Sequence, residues 1–94
     1  MKHTLTSFEF DVAAIVPMEM PFRTKVLGVE VVIGRPRIIA LVEDDVEKMV
    51  TKKFRIYSMG DKVEAGDYVV FIGSFQRVVG DTTRVYYVFE QQVG

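Results

Sequence analysis

Cysteine is absent from the chain. Its absence removes disulfide frameworks, thiolate nucleophiles and zinc knuckles from the available chemistry. Histidine is almost as scarce. The single one, His3, reads as part of a solvated N-terminal tail with no neighbour to orient it as a base. A serine nucleophile would then depend on Lys, Asp or Glu, and no spacing points to such a pair. An excess of one charge is missing too, with 12 basic against 13 acidic residues and a formal net charge of -1. Duplex-DNA surfaces carry a clear positive excess because phosphate neutralisation supplies their affinity, so this balance argues against one. No apolar run reaches membrane-spanning length, and MKHTLTSFEFDV has no signal-peptide pattern. The expectation is a soluble intracellular protein with no cofactor and no membrane partner.

Two phosphate- and metal-binding patterns are also lacking. The acidic run Glu43-Asp44-Asp45-Val46-Glu47 has neither the glycine nor the spaced final glutamate of a calcium loop, and reads as a solvated loop, so no metal is expected. Gly60 and Gly66 bound a loop, but no helix follows to complete a glycine-rich phosphate cradle.

What is present is apolar: 49% of the 94 residues are hydrophobic and 12% aromatic. A chain of this length forms one domain, spanning residues 1–94. It must fill its core well, since small domains bury only about 60–70% of their unfolded surface. The stretch from Asp67 to Glu90 organises the rest. Two runs rich in β-branched and aromatic residues, Tyr68–Phe75 and Arg84–Phe89, flank a turn at Gly80-Asp81, the signature of a β-hairpin. The first run is apolar on both faces and is expected to be a central strand covered on both sides.

Five further strand-like segments precede the hairpin. Phe8, Phe10 and Val12 alternate with polar residues from Thr4 onward. Ile15–Met20 holds Pro17 and stops at Pro21, which places it at an edge. Lys25–Ile33 and Arg37–Glu43 are joined by a turn at Gly34-Arg35-Pro36. The second of these is apolar on both faces, which points to self-association. Asp44–Met49 reads as a polar loop. Val50–Tyr57 has Phe54 and Ile56 inward with Lys53 and Arg55 outward, and a loop covers Ser58–Gly66. Gln91–Gly94 is expected to fray. Seven strands without a helix give an all-β antiparallel sandwich or barrel.

Candidate binding residues come from two patterns. Arg35, Arg77 and Arg84, with Tyr57 and Tyr86, can form an arginine–aromatic surface for an anionic nucleotide or a single strand. Alternatively, such cations only keep outer faces and edges soluble. The loop residues Met59, Gly60, Asp61 and Lys62 add an exposed methionine beside a glycine that permits close backbone approach. No catalytic set emerges, so a non-enzymatic protein is expected.

Several motifs occur together in order: Met20-Pro21, VLGVEV at 26–31, ALVE at 40–43, FRI at 54–56, IGSFQ at 72–76 and VFE at 88–90. Together they resemble a family of small bacteriophage proteins that form a domain of unknown function, over about residues 15–90. The family pattern has G-T-G-H where this chain has Ser58-Met59-Gly60-Asp61, and W-H where it has Tyr86-Tyr87. Both histidines are therefore replaced, by Asp61 and Tyr87, which favours binding or structure over catalysis. The resemblance implies an accessory protein in the host cytoplasm. It would counter a host defence or regulatory factor by binding a host protein or sequestering a small anionic nucleotide signal. A virion or assembly component and a nucleic-acid-binding module are the alternatives, and a homo-oligomer is expected in each case.

Overall fold

The computed structural model describes residues 2–63 and 69–91. Within them lie seven strands and no helix: β1 (His3–Glu9), β2 (Ile15–Pro21), β3 (Lys25–Val32), β4 (Arg35–Glu43), β5 (Met49–Tyr57), β6 (Val69–Val79) and β7 (Thr82–Gln91). They form two antiparallel sheets packed together. Sheet A has the order β1-β4-β3 and sheet B the order β2-β5-β7-β6. The result is an open sandwich; no barrel closes.

Alternation along each strand separates core from surface. Sheet A contributes Ile38, Ala40 and the partly buried Phe8, Val26 and Val29. Sheet B contributes Val16, Met20, Phe54, Ile56, Phe75 and Val88. Phe54, Met20, Ile38 and Val88 are fully buried. Burying each such side chain contributes about 1.5–3 kcal/mol. Phe10 closes one end, meeting Phe75 edge to face at 6.0 Å.

The hairpin turns follow backbone chemistry. Gly80, at φ 61°, takes the first loop position between β6 and β7, where a type II′ turn calls for glycine. Between β3 and β4 both loop residues have positive φ, Ile33 at 51° and Gly34 at 73°. Glycine suits that conformation, whereas the branched and 96% exposed Ile33 is strained there.

Several expectations are corrected. β6 is not central. It lies at the edge of sheet B, hydrogen-bonded to β7 alone, and β7 is the interior strand of the hairpin. Its doubly apolar pattern has another cause: one face meets β3 of the other sheet, and the other carries the exposed ring of Phe71. Gly73 marks the meeting with β3, where an added β-carbon would touch the Val29 backbone nitrogen at 3.6 Å. Arg35 and Pro36 belong to β4, leaving Ile33-Gly34 as the turn. His3 is not in a tail but opens β1 opposite Glu43, still exposed. The first strand stops at Glu9; Phe10 leaves it yet donates its N–H to the Pro36 carbonyl at 3.2 Å. β2 is an edge, as its prolines require. The loop expected over Ser58–Gly66 is seen through Val63. Glu64, Ala65 and Gly66, the hairpin's expected start at Asp67-Tyr68, and the tail 92–94 lie outside the described residues. Gln91 is the last residue of β7.

Candidate ligand-binding site

In a two-sheet sandwich the outward positions are ordinarily polar. On sheet B a group of rings interrupts the polar residues. Tyr57 of β5 stands opposite Tyr87 of β7, and Phe71 of β6 stands opposite Phe89 of β7. None of these four rings belongs to the core. Instead they form a cluster on the outer face. Tyr57 meets Phe89 at 5.5 Å, Phe71 meets Phe89 at 5.3 Å, and Phe71 lies 6.5 Å from Tyr87. Phe71 is 55% exposed. The other three are half-buried, so the four make an apolar patch on the surface, a feature that marks contact sites.

Phe71 has a second role. It lines a cleft of about 410 Å³ where the start of β3 passes the start of β6. Arg23, Lys25 and Lys52 supply three cations to this cleft, and Glu90 one carboxylate. Lys52 Nζ lies 3.7 Å from Glu90 Oε2. Among the described residues Arg23 and Lys25 form no ion pair. The volume falls in the range of small-ligand sites. Leu27 and Val70 add an apolar wall.

The turn carrying Arg23 is built locally. Thr24 is buried, and both its N–H and its Oγ1 donate to the Pro21 carbonyl, at 3.2 and 2.6 Å. The turn so closed holds Arg23 at φ 66°, in the left-handed region that a side chain disfavours. The Arg23 guanidinium lies over the Phe22 ring at 5.5 Å. Strain of this kind persists where surrounding contacts over-determine the backbone, and such places cluster at ligand clamps.

The residues expected from sequence do not converge on one point. Arg35 and Arg77 line a separate cavity of about 330 Å³, together with Asp11. Arg84 stands directly opposite Arg77 on the hairpin. Arg35 is already engaged, with Nη1 3.2 Å from Glu9 Oε2. Tyr86 faces inward and stacks on Phe75 at 5.2 Å, whereas Tyr57 faces outward, so one ligand cannot touch both rings. In the turn after β5, Gly60 adopts φ 95°. There Asp61 Oδ2 accepts the Ser58 N–H at 2.7 Å, and the Asp61 N–H donates to the Ser58 carbonyl at 3.0 Å. Asp61 thus caps its own turn. Met59 and Lys62 are exposed beside it. Arg23, Lys25, Phe71 and Phe89 were not singled out by sequence. Period-two alternation puts Phe89 on one face with Tyr87, but nothing local brings β3 against β6. Among the described residues no three His, Cys, Asp or Glu side chains gather as metal ligands.

No protein-family model, curated protein or solved structure matches this chain. The resemblance to small phage proteins therefore stands on its quoted motifs alone.

Proposed function

We propose that the protein is a non-enzymatic binding module that sequesters a small anionic nucleotide. The phosphates would enter the cleft among Arg23, Lys25 and Lys52, and the base would lie against Phe71. One observation carries this reading: Phe71 is both the rim of the three-cation cleft and part of the exposed ring cluster. A nucleotide joins a planar ring to an anion, and the two halves of this site match those two halves. Capture of a nucleotide signal fits the accessory phage protein that the motif resemblance implies, acting against a host factor in the host cytoplasm.

Calorimetric titration with ATP, GTP and inorganic triphosphate tests the proposal. Both nucleotides should bind more tightly than triphosphate. Phe71→Ala should reduce them to the triphosphate level, and Lys25→Glu should weaken all three. Absence of nucleotide binding to the wild-type protein would refute it.

A further inference from the structure

The ring cluster is larger than one base requires. Phe71 alone borders the cleft, while Phe89, Tyr87 and Tyr57 continue from it across β7 to β5. From β6 to β5 is two interstrand spacings, about 10 Å. That is room for one or two further bases beside the one at Phe71.

On the outward positions of β5, β7 and β6 charge has one sign. The outward positions of β5 carry Thr51, Lys53, Arg55 and Tyr57. Those of β7 carry Thr83, Val85, Tyr87, Phe89 and Gln91, and those of β6 carry Val69, Phe71, Ser74, Gln76 and Val78. Two cations and no carboxylate stand on these outward positions, in a chain with 13 acidic residues. The fourth strand of the sheet, β2, carries one outward carboxylate, Glu19. Arg55 is steadied by its Nε–H donating to Gln91 Oε1 at 3.2 Å. Lys53 is exposed.

We infer that the outer face of sheet B binds a short single-stranded nucleic acid, about two to three nucleotides long, entering from the cleft. The inference rests on the nucleotide reading above and extends it from a monomer to an oligomer. Sequence-tolerant single-strand recognition combines stacking on aromatic side chains with cations that follow the backbone. Both are present on the same surface here. Duplex would not serve, because its bases are stacked inside and cannot reach the rings.

The test is fluorescence anisotropy competition with thymidine monophosphate, dT3 and dT8 against a labelled dT8. Affinity should rise at least tenfold from the monophosphate to dT3, then gain little to dT8. Phe89→Leu and Tyr87→Leu keep apolar volume but lose the ring. Each should weaken dT3 several-fold more than it weakens the monophosphate. Equal affinity for monophosphate and dT3 would overturn the inference and leave the nucleotide reading standing; no binding of either would overturn the inference, and no binding of ATP or GTP as well would end both. A wild-type protein that binds no oligonucleotide but self-associates in sedimentation, and loses this with Phe89→Leu, would assign the face to a second copy instead.

Discussion

The two sheets present opposite surfaces. On the outer face of sheet A, Arg35 and Arg37 both reach Glu9, at 3.2 and 3.4 Å. Register also places Arg37 between Glu9 and Glu30. Both arginines of β4 are paired in place, and no Phe or Tyr lies among the outward residues of β1, β4 and β3. The outer face of sheet B has four contacting rings and no carboxylate on its three inner-to-edge strands β5, β7 and β6. One surface pairs its arginines with a carboxylate, and the other sets its cations beside aromatic rings. A count of charges over the chain hides this, because the acids are concentrated elsewhere.

The comparison can be broken at several levels. The largest effect belongs to the shared core. Phe54→Ala should cost about 3–5 kcal/mol in chemical denaturation, since it empties a fully buried site under sheet B. Phe71→Ala, on the same sheet but half exposed, should leave the unfolding midpoint nearly unchanged. Its loss should appear in ligand affinity, about tenfold to a hundredfold for the lost stacking of roughly 1–3 kcal/mol. If Phe71→Ala instead unfolds the protein, the ring is structural and the contrast between the faces fails.

Smaller changes sharpen it. Arg23→Asn keeps a residue tolerant of positive φ while removing the charge. Nucleotide affinity should fall several-fold with stability held or slightly raised, as titration and thermal melting together would show. Ile33→Asn relieves the same strain at a turn outside the cleft. It should stabilise by about 1 kcal/mol, raising the melting temperature by about 4–8 °C, with binding untouched. Smallest is Glu9→Gln, which frees Arg35 and Arg37 on sheet A. Exposed ion pairs contribute about 0–1 kcal/mol, so the stability loss should stay within that range. If the freed cations bound nucleotide as well as sheet B does, charge alone would be sufficient and the rings would have no role.

Much of the fold can be read locally. Alternation in β5 fixes Phe54 and Ile56 inward with Lys53 and Arg55 outward. Pro17 and Pro21 confine β2 to an edge, and Gly80-Asp81 closes the hairpin. The site is less legible. Tyr57 and Tyr86 are expected as rings beside arginines, and Tyr57 does face outward, yet Tyr86 packs inward on Phe75. The register slip between Phe71 and Gly73 reverses which alternating positions of β6 face inward. No reading of strict alternation recovers that.

The sequence by itself determined the seven strands, the hairpin turn at Gly80-Asp81 and most of the strand faces, because these depend on side-chain period and backbone conformation within a few residues. Tertiary structure alone decided that β6 is an edge, that Arg23 and Lys25 meet Phe71, and that Glu9 takes the arginines of β4. Those outcomes join residues far apart in the chain. They are set by which apolar faces pack together, and packing is a property of the whole sandwich.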